Sequence, residues 1–290
     1  MDDNPSLDAG LVEKLAALRE TLEGYESLAV AFSGGVDSAL LLAVAHDALR
    51  DRVVAVTGRS PSIPPREVEA ARAFCQERGI DHAVVDTHEF DIEGFKHNPP
   101  DRCYRCKREL FACVAREADR RGINAVAEGS NIDDEGDYRP GFRAVAEMRV
   151  ESPLRDAGLR KADVRAIARH LGLPQWDKPA FACLNSRFAY GNSITPELLA
   201  MVDGAEEALR SLGFRRVRVR VSGKSARIEV PPDDIGQLVL GDTREKVVRE
   251  LEALGFAFVS VDLRGYRTGS MNATLPQADP RPDEGNRHVL

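Results

Sequence analysis

Leucines at positions 11, 15, 18 and 22 recur at helical spacing and predict an amphipathic helix over 7–24. Ser27–Phe32 (SLAVAF) then drops all periodicity, as a strand buried on both faces does. A glycine-rich turn, SGGVDS, follows, and Ala39–Leu49, rich in Ala and Leu, reads as a helix. The alternation continues through a strand at Arg52–Thr57, a helix opened by Pro64-Pro65 and running to Arg78, and a short strand at His82–Val85. A helix at Cys106–Arg121 and a fourth strand at Ala125–Ala127 complete it. Strands alternating with helices predict an α/β fold, a parallel sheet with helices on both faces.

From Thr195 the pattern changes. Pro196–Leu212 reads as a helix, followed by strands Arg215–Val221 and Ala226–Val230 around a Ser-Gly-Lys turn. A helical stretch over Asp233–Leu254, broken at Gly241, leads to a last strand at Phe256–Val261. This suits a smaller α+β domain. The expected division is 1–180, 181–271 and a tail over 272–290, whose Pro, Asp and Arg content is that of a disordered segment. No internal repeat is visible.

Composition narrows the function. Of 290 residues 43% are apolar and 30% charged, which supports a buried core and excludes global disorder. No apolar run approaches the roughly 20 residues of a membrane helix. The acidic start, MDDNPSLDAG, lacks the basic and apolar blocks of a signal peptide, so a cytoplasmic protein is expected, with no membrane partner. The net charge of −7 argues against nucleic acid as a partner, because such affinity comes largely from Lys and Arg neutralising phosphates. Five cysteines (75, 103, 106, 113, 183) make an odd set, and a cytosolic chain keeps thiols reduced. Metal, cluster or sulfur chemistry is then open.

Ser33-Gly34-Gly35-Val36-Asp37-Ser38 follows a buried strand and opens a helix. Paired glycines let the backbone turn and approach a ligand, with N–H groups and the helix N-terminus pointing at an anion. Ser33 and Ser38 can donate to phosphate oxygens; Asp37 suits Mg²⁺ or a helix cap. An ordinary strand-to-helix turn is the competing reading, and no G-x-x-x-x-G-K-[ST] occurs.

Cys103-Tyr104-Arg105-Cys106 has the spacing that lets two sulfurs reach one metal, yet no second pair completes a zinc set. Cys183 lies in KPAFACLNSRFAYG, where Lys178 and Arg187 bring positive charge toward the sulfur and favour thiolate. Cys75 and Cys113 sit on apolar helix faces and read as small core residues. Arg216, Arg218 and Arg220 alternate along one strand and so share a face; with Arg264 and Arg267 they could hold a phosphate or form a solvated surface.

The SGGVDS loop resembles the PP-loop of the ATP pyrophosphatase superfamily, whose members cut ATP between the α- and β-phosphates. That resemblance implies an adenine nucleotide alpha hydrolase-like fold. It places Thr57 and Ser60 beside the nucleotide and makes Glu128-Gly129-Ser130-Asn131 a second nucleotide-side loop. The set SGGVDS, PPDRCYRCK, EGSNIDD, KPAFACLNSR and VDLRGYRTGS further resembles the LarE sulfur transferases of nickel-pincer nucleotide biosynthesis, over most of residues 10–271. The resemblance implies a homohexamer that uses ATP and Mg²⁺ to adenylate the carboxylates of pyridinium-3,5-biscarboxylic acid mononucleotide and converts them to thiocarboxylates. Two sulfur sources occur in that family. Either the cysteine matching Cys183 gives up its own sulfur and becomes dehydroalanine, or three cysteines hold a 4Fe–4S cluster carrying sulfide. Cys103 and Cys106 beside Cys183 favour the cluster, whose open iron suits a sulfide carrier. Lys107 would then lie near accumulated negative charge. A tRNA thiolase, an amide-forming synthetase of the superfamily and a non-enzymatic nucleotide-binding module with structural zinc remain the alternatives.

Overall fold

A computed structural model of the chain describes residues 6–134, 140–179 and 182–267. The boundary expected between 180 and 181, and the tail expected over 272–290, lie outside the described residues.

Helix α1 (Ala9–Glu23) is capped by Asp8, whose side chain accepts the Leu11 N–H at 2.8 Å, and it buries Leu15, Leu18 and Leu22. Next come β1 (Leu28–Ala31), α2 (Val36–Leu49), β2 (Val53–Arg59), α3 (Pro65–Arg78) and β3 (Asp81–Asp86). Then follow α4 (Arg102–Arg121), β4 (Ala125–Ala127), α5 (Gly141–Glu147), α6 (Pro153–Asp156) and α7 (Lys161–His170). The four strands form one sheet in the order β3-β2-β1-β4, all parallel.

Both faces of this sheet are buried, which is why its strands carry no polar alternation. Leu28, Val30, Val53 and Ala55 join a core with α1, α2, α3 and α7. Ala29, Val54 and Val56, the alternate positions, pack with Val114 and Ala118 of α4 on the other face. The chain order reverses between β1 and β4, the place where open parallel sheets bind ligands at the carboxyl ends of their strands.

The second unit contains α8 (Pro196–Ser211), β5 (Arg218–Ser222), β6 (Ser225–Glu229), α9 (Ile235–Val239), α10 (Gly241–Ala253) and β7 (Phe258–Val261). Hairpin β5–β6 is antiparallel, β7 adds to β6 in parallel, and a separate core centred on Leu199, Val219, Ile228 and Leu251 fills beneath them. Phe90, from the first half of the chain, packs against that core.

Three stretches differ from the expected elements. Helix α4 starts at Arg102 rather than Cys106, because Pro99-Pro100-Asp101 supplies the turn before it, with Arg102 N–H on the Pro99 carbonyl at 3.0 Å. Strand β5 starts at Arg218 rather than Arg215. In its register with β6 (Arg218 opposite Glu229), Arg216 would face Pro231, which has no N–H to offer. Helices α5, α6 and α7 occupy a stretch for which the pattern gave no elements. Among the described residues no helix is long and apolar enough to cross a membrane.

Candidate active site

The phosphate loop joins β1 to α2. Gly34 turns with φ +71, a conformation that favours glycine. Gly35 caps α2 with no side-chain bond, so the first N–H groups of the helix stay open to a ligand. Ser33 and Ser38 hydroxyls lie 3.2 Å apart, and Ser38 donates to the Gly35 carbonyl at 3.2 Å. From β4, Gly129 presses on this loop: a Cβ there would meet Ser38 N at 2.8 Å and the Asp37 carbonyl carbon at 3.1 Å. Only glycine lets the two loops of the switch point meet.

A cavity of about 280 Å³ opens above the loop. Of the expected nucleotide residues, Ser33, Gly35, Asp37 and Thr57 line it. Gly34, Ser38, Ser60, Gly129 and Ser130 are not among its lining residues. Thr57 donates to the Phe32 carbonyl at 2.8 Å and meets His82 Nε2 at 2.9 Å, pinning β2 to the end of β1. Burial chiefly, and then Arg72, lowers the His82 pKa, against the pull of Asp81. Ser130 donates N–H and hydroxyl to the buried Glu128 carboxylate, at 3.1 and 2.8 Å, and Ser152 adds a third bond at 2.9 Å. Ser60 accepts the Ser62 N–H at 3.2 Å in a turn beyond β2.

Two lysines complete the cavity. Lys161, at the start of α7, binds Asp37 Oδ2, while Asn131 Nδ2 donates to Asp37 Oδ1 at 3.0 Å. Lys178 bonds Glu67 at 2.7 Å and the Gly34 carbonyl at 3.2 Å. The sequence pattern pointed to Lys178 only as charge near Cys183 and did not single out Lys161 or Glu67. A signal existed: Lys is scarce in this Arg-rich chain, and both 161 and 178 line the cavity.

Cys183 lines the same cavity. It caps a 3-10 turn, Leu184–Arg187, that is moored from two sides. On one, Leu184 N–H and Asn185 Nδ2 donate to the carbonyl and hydroxyl of Ser62, at 3.0 and 2.8 Å. On the other, buried Arg187 donates to the carbonyls of Ala182 and Cys183, at 2.6 and 3.1 Å, and forks onto the buried Glu206 carboxylate, both bonds at 2.8 Å.

Cys103 and Cys106 sit three apart on the first turns of α4, so they share a face. Burial pushes the Cys106 thiol well up, and Glu89, Cys183 and Cys103 push the same way while Arg102 opposes. Cys183 is raised by burial and by Cys103, against Arg102 and Arg187. Arg102 itself is raised despite its burial, chiefly by Cys183 and then Cys103. Even so, among the described residues no three His, Cys, Asp or Glu side chains stand close enough to hold a metal ion. The donors here are three thiols without a fourth ligand, unlike a closed structural zinc site. Lys107 runs the other way, to Glu128 Oε2 at 3.5 Å and over the Phe111 and Phe142 rings. Cys75 and Cys113 are buried; burial lifts the Cys75 thiol to about 12.

A family model described as NAD synthase matches residues 12–103, the segment carrying the phosphate loop. The pyridinium-3,5-bisthiocarboxylic acid mononucleotide synthase of Lactiplantibacillus plantarum is 40% identical over 93% of this chain and 98% of its own. The chain belongs to this LarE family. An uncharacterised protein of Synechocystis sp. is 44% identical over 91% of this chain and 99% of its own length. One subunit of the glutamine-hydrolysing GMP synthase of Pyrococcus horikoshii shares 27% over 70% of this chain and 71% of its own. As a LarE-family chain with the PP-loop fold, it is an ATP-dependent sulfurtransferase.

This LarE-family chain has a second, larger cavity of about 780 Å³, which meets the first at Pro179. Arg165, Arg169, Arg215, Arg216 and Arg218 line it beside Trp176 and Tyr266, with Asp177 the one carboxylate among the described lining residues. Arg169 lies 4.8 Å from the Trp176 ring centroid and Arg218 5.4 Å from that of Tyr266. The face expected for Arg216, Arg218 and Arg220 divides: Arg218 turns to this cavity, and Arg220 forks onto Glu229, both bonds at 3.0 Å. Arg264 and Arg267 are not among the lining residues.

Proposed function

We propose that the chain adenylates a carboxylate of pyridinium-3,5-biscarboxylic acid mononucleotide with ATP and then converts it to a thiocarboxylate. The observation that carries this reading is that Cys183 opens into the same cavity as the phosphate loop. Over 93% of its length the chain also resembles a protein named for synthesis of the bisthiocarboxylate.

A carboxylate resists nucleophiles because it is anionic and its oxide leaves poorly. Attack of a carboxylate oxygen on the α-phosphate of ATP breaks the α–β bridge and releases pyrophosphate. The acyl oxygen then belongs to AMP, a good leaving group. The open N–H groups at the start of α2, with Ser33 and Ser38, would hold the departing pyrophosphate. Lys161 and Lys178 add positive charge beside them. Asp37 would bind Mg²⁺ by exchanging its bond to Lys161 for the ion, freeing the ammonium for phosphate. The arginine-lined cavity suits the substrate's phosphate and second carboxylate, with Trp176 and Tyr266 against its charged ring.

Sulfur enters in the second step. A 4Fe–4S cluster on Cys103, Cys106 and Cys183 would leave one iron open to carry sulfide, and a cluster, larger than an ion, takes its thiolates at wider spacing. Cys183 and its moored loop fix where sulfur meets the acyl carbon. A second reading has its own support: of the three thiols Cys183 alone lines the cavity, and no ready metal set is found among the described residues. There Cys183 Sγ attacks the acyl carbon, AMP leaves, and loss of the Cys183 α-proton breaks the Cβ–S bond to leave dehydroalanine. The hexamer and the two-domain division complete the proposal.

The test follows AMP, pyrophosphate and thiocarboxylate with the purified chain. Cys183→Ala is expected to form AMP and pyrophosphate and no thiocarboxylate. Thiocarboxylate at the wild-type rate from that variant would overturn the reading. Iron and sulfide in anaerobically purified protein select the cluster; a mass lower by H₂S after turnover selects sacrifice of Cys183.

A further inference from the structure

Arg102, the first residue of α4, is 1% exposed and among the largest fully buried side chains of the chain. Among the described residues it forms no ion pair with a carboxylate. A buried guanidinium without a carboxylate is costly unless its donors are met in another way. Here they are met by Asn98, by Cys103 and by the segment that carries Cys183. Nη1 donates to the Asn185 carbonyl at 2.9 Å and to Asn98 Oδ1, and Nη2 lies 3.8 Å from Cys103 Sγ.

Asn98 extends the same link. It is fully buried, with its backbone in the left-handed region at φ +52. Its Nδ2 donates to the Phe188 and Ala189 carbonyls at 3.1 and 2.7 Å, and its own carbonyl accepts the Gly191 N–H at 3.0 Å. These bonds of Asn98, like that of Arg102 to Asn185, cross from residues 98–102 to residues 185–191. The two stretches are some eighty residues apart in sequence, and the three cysteines lie on or beside them.

We propose that Arg102, oriented by Asn98, is the positioning residue that holds the Cys183 loop against the helix start carrying Cys103 and Cys106. The inference rests on the reading that these three thiols act together. It needs the fork of the guanidinium, since one nitrogen reaches a carbonyl and an amide oxygen while the other reaches the sulfur edge. An ammonium at this place keeps the charge and loses that reach.

The test maps thiol proximity with dibromobimane, which fluoresces when it bridges two nearby thiols, on full-length protein freed of iron. Peptide mass analysis separates bridges containing Cys183 from the bridge between Cys103 and Cys106. The second lies within one helix and serves as an internal control. In Arg102→Met the bridges to Cys183 are expected to fall about tenfold, the scale of losing hydrogen bonds to a charged group, while the Cys103–Cys106 bridge persists. Arg102→Lys should restore part of the yield. Should Arg102→Met not fold, as judged by loss of ATP binding, Asn98→Gly decides: it keeps the left-handed backbone, removes the Arg102 acceptor, and is expected to lose the same bridges. Bridges to Cys183 at wild-type yield in folded Arg102→Met, or in Asn98→Gly where the first does not fold, would overturn the proposal. Absence of iron from the anaerobic wild type would overturn the cluster instead, and the bridging comparison would still decide for or against the clamp.

Discussion

Asp37 shows how one side chain can serve two states. It holds Lys161 and Asn131 in this structure, and in the proposed reaction it turns to Mg²⁺. Asp37→Ala is expected to lower pyrophosphate release by more than about tenfold, in line with losing an electrostatic partner at a phosphoryl centre. Release at the wild-type rate would remove its role. The Arg187–Glu206 pair is a different case, because both side chains are fully buried. Burial works to raise the Glu206 pKa, but the Arg187 fork and charge, with Arg218 and the Val219 N–H, hold it below the ordinary range. Glu206 therefore contributes stability that is complete above the ordinary glutamate pKa and is lost as pH falls through its lower folded value. Glu206→Gln leaves the Arg187 charge buried without its partner and should cost about 3–5 kcal/mol, measured by denaturant unfolding at neutral pH. The same variant should show a flatter acid limb when stability is followed against pH.

Elements whose start and stop are encoded by neighbouring residues were legible in the sequence. Helix α3 opens on Pro64-Pro65 as expected and closes at Gly79 with φ +66. The break at Gly241 separates α9 from α10 as expected. Thr195 caps α8 by accepting the Leu198 N–H at 3.3 Å, so Thr195→Ala should lower stability by about 1 kcal/mol, read from the shift in denaturation midpoint. Elements that depend on distant partners were less legible. Strand β5 is shortened where Pro231, just past the end of β6, would stand opposite Arg216, and no window around Arg215 contains that proline. Helix α7 shows the same limit: Val164, Ile167 and Ala168 are its only buried positions, and their face is defined by α2 and α1 packed over it.

For the whole molecule, charge and topology act together. Five arginines gather in one cavity of a chain whose net charge is −7. The concentrated field suits a small polyanion, and the acidic remainder repels a long one. Gel-shift titration with tRNA at low salt is accordingly expected to show no salt-sensitive complex; a complex that weakens steeply with added salt would favour an RNA substrate. Topology decides the rest. The strand alternation, the phosphate loop and the CxxC on its helix follow from short stretches of chain, because helix period, glycine turns and capping are governed by residues a few positions apart. The bond of Arg102 to the Asn185 carbonyl, the grip of Lys161 on Asp37 and the approach of Gly129 to Ser38 are set by strand order and by the packing of two cores. Those contacts join residues separated by scores of positions, so no local pattern encodes them; they exist only once burial of the apolar faces has fixed which segments lie side by side.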